Sequence, residues 1–185
     1  MKKYRAGLVG CGRIGTLWET DPPTPVTHAG ALSVLPQTTL VAGSSRGPEH
    51  LHAFGRRWGV DALYHDYREM FSREKLDIVC IATHPGLHRG IVEPAVAAGV
   101  KRILCEKPLA LSLTDADAAT AACRSAGCNL SFEHSRRWDP DHRKAKEMAK
   151  AGLIGFSSLS VLAGRVACCE TTPRVIPFPR QRTDQ

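Results

Sequence analysis

The sequence predicts a doubly wound α/β fold around a parallel sheet, and three observations carry that expectation. Short apolar runs alternate with helical patterns along most of the 185 residues. The runs are rich in Val, Ile and Leu, as parallel strands covered on both faces require. A glycine-rich turn, Gly10-Cys11-Gly12-Arg13-Ile14-Gly15, directly follows the first run.

In chain order, strands are expected over 5–10, 39–43, 77–83, 102–105 and 129–133, and helices over 48–58, 66–72, 87–98 and 114–126. Thr114 offers itself as an N-cap with Asp117 three positions on, a relative of the capping box. Gly99 and Gly127 stand where helix C-caps belong. Connections this short between strand and helix imply right-handed crossovers. The segment 20–27, "TDPPTPVT", interrupts the helix that the glycine turn should open, because three prolines within four residues cannot be helix interior. It reads as an inserted loop, with a helix resuming near 28–35. Such a loop either borders a cofactor cleft and carries specificity or is a surface insertion.

Composition narrows the function classes. Hydrophobic residues form 43% of the chain and no apolar stretch nears the ~20 residues of a membrane helix. The N-terminal "MKKYRAGLVG" runs into a glycine turn rather than a cleavage site, so a cytoplasmic protein is expected. Seven cysteines lack paired C-x-x-C spacing, which argues against zinc and redox sites and against a disulfide framework. Cys80 and Cys105 lie in apolar runs as core residues. The net charge of +7 is scattered, with no basic stripe and little aromatic interleaving. It therefore speaks for anionic ligands, phosphates included, and against nucleic acid.

Four stretches carry chemistry. In G-x-G-x-x-G after a strand, Gly10 permits the tight turn, Gly12 lets a pyrophosphate approach the backbone and Gly15 lets helix pack on strand. The N–H groups that follow, at Arg13 and Ile14, face the phosphates with the positive end of a helix. The second strand ends in Ser44-Ser45-Arg46, where an NAD site usually has a carboxylate for the ribose hydroxyls. A hydroxyl and a guanidinium suit a 2′-phosphate instead, so NADP is favoured over NAD. "ATHPGLH" puts Thr83, His84 and His88 after the strand 77–83, at the crevice of a parallel sheet. The two histidines lack a third partner at metal-ligand spacing, and no metal is expected. In "ILCEKPLAL", Glu106 and Lys107 leave a strand directly and Pro108 fixes the chain after them. A lysine at the crevice mouth can bind a substrate hydroxyl and help move its proton as hydride leaves.

Together the glycine turn, Ala82-Thr83 with His88, Glu106-Lys107-Pro108 and "SRRWDP" at 135–140 resemble a known family over about residues 1–163. It is the glucose–fructose oxidoreductase, inositol dehydrogenase and rhizopine-catabolism (Gfo/Idh/MocA) oxidoreductases, with a Rossmann-type nucleotide-binding domain. The resemblance implies an NAD(P)-dependent dehydrogenase acting on a sugar, polyol or related alcohol. It makes Lys107 the residue that orients the substrate hydroxyl, has Glu106 and Pro108 frame the nicotinamide, and adds Arg137 to the cofactor-binding set. Ser45 departs from the Asp of many relatives, and His84 from their Pro. Family members carry a second domain that holds substrate and supplies a histidine, and the resemblance leaves room for a homo-oligomer. The expected layout is therefore a dinucleotide-binding domain over 1–152, the start of a substrate domain over 153–164 with its first strand at 155–164, and an irregular tail over 165–185. A tail so poor in pattern fits a truncated or frame-shifted gene. The alternative to an oxidoreductase is then a nucleotide-binding module without catalysis.

Overall fold

The computed structural model describes residues 3–19 and 25–153. The chain divides into two compact units, Met1–Ser135 and Arg136–Gln185. The expected strand at 155–164 and the tail lie outside the described residues, as does the proline-rich centre of the inserted loop.

The first unit is a six-stranded sheet in the order β3-β2-β1-β4-β5-β6, all neighbours parallel. The strands are β1 (Tyr4–Val9), β2 (Thr38–Ser44), β3 (Ala62–Tyr64), β4 (Ile78–Ile81), β5 (Arg102–Cys105) and β6 (Asn129–Phe132). Five helices join them: α1 (His28–Val34), α2 (Pro48–Trp58), α3 (Tyr67–Arg73), α4 (Pro85–Ala97) and α5 (Leu113–Ser125). The order of strands reverses direction at β1 and β4, and that switch point opens a crevice at their carboxyl ends.

Side chains alternate along the strands and feed two cores. Val79 and Ile81 of β4 join Ile103 and Cys105 of β5 under Met70, Ile91, Val92 and Ala119 of α3, α4 and α5. Cys80, between them, faces the opposite layer with Ala6 and Leu8 of β1, under Ala29, Leu32, Leu51 and Phe54 of α1 and α2. This two-sided burial is why the strands read as continuous apolar runs. Burial alone pushes the Cys11 thiol up to about 12 and, with a smaller push from Glu133, that of Cys80 as well, which makes them apolar filling rather than reactive groups.

Three expectations need correction. The helix behind the glycine turn is one π-type turn, Arg13–Leu17, before the chain leaves for the insertion; Trp58 of α2 clamps it by donating to Thr16 Oγ1 at 2.6 Å. The N-cap of α5 is Ser112, not Thr114. Its Oγ accepts from the Asp115 N–H at 3.2 Å and donates to the Asp115 carboxylate at 2.8 Å, so the box closes two residues earlier. The strand β3 was not expected, since three residues show no periodicity. The glycines after α4 and α5 do terminate them, at φ +86° for Gly99 and +61° for Gly127. In the second unit, α6 (Pro140–Lys150) starts at Asp139, whose carboxylate accepts from the N–H groups of Asp141 and His142. No helix among the described residues is long and apolar enough to cross a membrane.

Candidate nucleotide-binding cleft

The ladder continues for one residue past each strand and lines up the functional segments. Gly10 donates to the Ser44 carbonyl and Ser45 to that of Tyr64. Ala82 donates to Val9, Glu106 to Ile81 and Glu133 to Cys105, all within 2.8–3.0 Å. Residues that are far apart in sequence thus stand side by side along one edge, above a cleft of about 1380 Å³. That exceeds the ~300–1,000 Å³ of ordinary ligand pockets and suits an elongated ligand.

The three glycines of the turn do different work. Gly10 has φ +99°, and a Cβ there would strike the Ala82 carbonyl. A Cβ on Gly15 would collide with the carbonyl of Gly10, so this position permits the close packing of the turn on itself. At Gly12 an added Cβ meets nothing within 4 Å: the backbone faces open cleft. A side chain at Gly12 would occupy ligand space without disturbing the protein. In addition, Thr83, on the cleft wall, has a buried hydroxyl without a hydrogen-bond partner among the described residues. Both features fit a dinucleotide.

Ser45 and Arg46 stand at the end of β2, joined by His50 of α2, His65 after β3 and Arg68 of α3. None of the last three was singled out from sequence, because only the sheet brings them to Arg46. Arg68 lies 4.7 Å over the Tyr67 ring with its guanidinium 4.0 Å from Asp66, and its side chain is exposed. The flank is basic, and Ser44, Ser45 and Arg46 place no carboxylate at the end of β2.

The opposite flank holds Thr83, His84, Glu106, Lys107 and Glu133. Lys107 is exposed at the mouth, while Glu106 is buried. Its Oε1 meets His28 Nε2 at 3.1 Å and its Oε2 accepts the Lys107 N–H at 3.1 Å. Burial pushes the Glu106 carboxyl up, yet the hydrogen bond and charge of His28 and the N–H and charge of Lys107 outweigh it and leave it lowered. Glu106 therefore stays ionised beside the lysine. His28 lies 6% exposed at the first position of α1; being the one ionisable residue of that short helix was its trace in the sequence.

Of the sequence candidates, Gly10, Gly12, Arg13, Ile14, Ser45, Arg46, Thr83, His84, Glu106 and Lys107 come together on this cleft. Gly15 supports it from beneath and Pro108 follows it, exposed, after a cis peptide bond. His88 does not reach the cleft. It is fully buried, with Nδ1 3.0 Å from the Leu109 carbonyl and Nε2 3.0 Å from that of Thr83, tying the two loops together. Arg137 belongs to the second unit.

Comparison with known proteins agrees with this geometry. Residues 4–134 match GFO_IDH_MocA, described as an oxidoreductase family with an NAD-binding Rossmann fold. A D-apiose dehydrogenase from Paraburkholderia graminis is 36% identical over 155 residues, covering 84% of this chain and 38% of its own length. A scyllo-inositol dehydrogenase from Lactobacillus casei, solved with NAD(H) and scyllo-inositol, superposes with a TM-score of 0.72 at 26% identity, over 83% of this chain and 43% of that one. A 3-ketoreductase from Actinomadura kijaniata, solved with TDP-benzene and NADP, gives 0.71 at 27% identity, over 83% and 46%. The chain spans about two fifths of the length of the curated relatives it matches.

Proposed function

Because the chain belongs to this oxidoreductase family with an NAD-binding Rossmann fold, we propose that it is the cofactor-binding part of an NADP-preferring dehydrogenase for a sugar, polyol or related alcohol. One observation carries the reading: Lys107 stands exposed beside the buried, ionised Glu106 on the cleft that the glycine turn also lines.

The N–H groups after Gly12 and the positive end of the short turn Arg13–Leu17 hold the pyrophosphate. Ser45 and Arg46 favour a 2′-phosphate, with Arg68 adding positive charge nearby. The nicotinamide, when bound, accepts or supplies the hydride. Lys107 hydrogen-bonds the substrate hydroxyl and, as the free amine, takes its proton as the hydride leaves, while Glu106 accepts from the Lys107 backbone N–H and so fixes the chain at that point. The substrate-holding residues follow the cofactor-binding unit in the chain.

Two measurements test this. Titration of NADP and NAD into the chain should show tighter binding of NADP, and equal affinities would remove the cofactor preference. In a protein joining residues 1–153 to the remainder of a polyol dehydrogenase of the family, Lys107→Ala should lower kcat by ~10²–10⁴-fold. An unchanged rate would take Lys107 out of the chemistry.

A further inference from the structure

We infer that His28 is a positioning residue that sets Glu106, and with it the nicotinamide end of the cleft, and that Glu19 and Thr27 hold His28 in place. The inference rests on the proposed cofactor site but concerns residues which that reading does not use.

Glu106 is 8% exposed and His28 6%, and they lie 78 positions apart. A buried carboxylate is tolerable only when paired and hydrogen-bonded. Of the two hydrogen-bond partners that the Glu106 carboxylate has among the described residues, the Lys107 N–H is its own neighbour and cannot locate it in space. His28 is the one that comes from another element. Since the carboxylate accepts, Nε2 must carry the proton, so the pair also selects the tautomer of His28.

What locates His28 is a second buried carboxylate. Glu19 is 6% exposed and sits where the turn Arg13–Leu17 gives out. Its Oε2 accepts from the Thr27 hydroxyl at 2.8 Å, from the Thr27 N–H at 3.1 Å and from the Val26 N–H at 3.1 Å. Thr27 Oγ1 in turn caps α1 by accepting from the Gly30 N–H at 3.1 Å. A Cβ on Gly30 would strike the Glu19 carboxylate, so glycine is required for this approach. Glu19 thereby ties the chain just before the proline-rich insertion to the chain just after it. The next residue, His28, is delivered to Glu106. Burial of Glu19 and Thr27, four hydrogen bonds and a glycine matched to a carboxylate are more than helix capping requires.

The test separates the two halves of the cofactor on the full chain. Affinities are measured for NADP and for 2′-phospho-ADP-ribose, the same molecule without nicotinamide, in the wild type and in His28→Ala, His28→Gln and Glu19→Gln. A hydrogen bond to a charged group is worth about tenfold or more. His28→Ala is expected to lose about that factor for NADP and nothing for 2′-phospho-ADP-ribose. His28→Gln, which keeps an N–H donor where Nε2 stood, recovers most of it, and Glu19→Gln shows a smaller loss of the same kind. Equal losses for both ligands would make His28 merely structural and overturn the inference, as would no loss at all. A wild-type chain that binds neither ligand overturns the cofactor site itself, and the inference with it. Imidazole NMR of the unliganded chain then still reports whether His28 carries its proton on Nε2 and whether Glu106→Ala releases it.

Discussion

On the β2–β3 side of the cleft, Arg46, His65 and Arg68 are exposed at the ends of their elements, whereas on the β4–β6 side Glu106 is buried against His28. Both flanks use charge, for different ends. Exposed cations attract a phosphate, are screened by salt and tolerate imprecision, because the field of a guanidinium varies slowly with position. A buried carboxylate hydrogen-bonded to an imidazole contributes little net stability after desolvation, but it stands in one arrangement. On the proposed reading, affinity and cofactor choice fall to the exposed flank, and the placing of the nicotinamide to the buried one.

Breaking the turn between the flanks should have the largest effect. Gly12→Val is expected to abolish dinucleotide binding with little change in thermal stability, since its side chain meets open cleft. Gly15→Val should destabilise the fold, by about 1–3 kcal/mol or more, because its side chain meets the Gly10 carbonyl. Thermal unfolding and cofactor titration on both variants check the pair; normal binding by Gly12→Val would remove the pyrophosphate assignment.

Next comes the exposed flank. Arg46→Ala should weaken NADP by about 10–100-fold, the worth of one charge-assisted hydrogen bond, and leave NAD nearly unchanged. The NADP advantage should also shrink as salt rises, while the ratio of NADP to 2′-phospho-ADP-ribose affinity stays constant. Calorimetry across a salt series reads both, and a salt-independent preference would move the 2′-phosphate away from Arg46.

The smallest effect concerns the buried flank and pH. Burial raises the Glu19 carboxyl, but hydrogen bonds from Thr27 and Val26 and the Arg57 charge leave it below the ordinary 4.5, and Glu106 is lowered likewise. A carboxyl lowered in the folded state stabilises fully above its unfolded value and loses that contribution as pH falls through the folded one. Glu19→Gln should therefore cost about 1–3 kcal/mol at neutral pH, and the difference from wild type should narrow below 4.5. A difference that stays constant into acid would mean Glu19 works by packing rather than charge.

Much of this was legible in the chain. The helix Pro48–Trp58 and the strand Arg102–Cys105 lie where the pattern puts them, because each carries its own boundaries: Pro48 at N1 and Gly59 after the end for one, an apolar run for the other. Cys80 and Cys105 are buried as their apolar neighbours imply. The exchange of Ser112 for Thr114 at the start of α5 shows the limit of such signals. Two polar residues with an aspartate three positions on are equal by local rule, and what tells them apart is non-local: Asp115, the aspartate of Ser112, also accepts from Arg89 of α4 at 3.0 Å.

By itself the sequence determined the parallel sheet, the glycine turn and the dipeptide Glu106-Lys107, since each depends on chemistry within a few neighbouring residues. Which histidines line the cleft was decided only in three dimensions, where spacing alone had pointed to His84 and His88. His88, in the motif, turns inward to two carbonyls, while His28, beyond the proline insertion, reaches Glu106. The physical reason is that a hydrogen bond depends on where its two groups end up, and across 78 residues only the fold, which sets the first residue of α1 beside the residue after β5, specifies that.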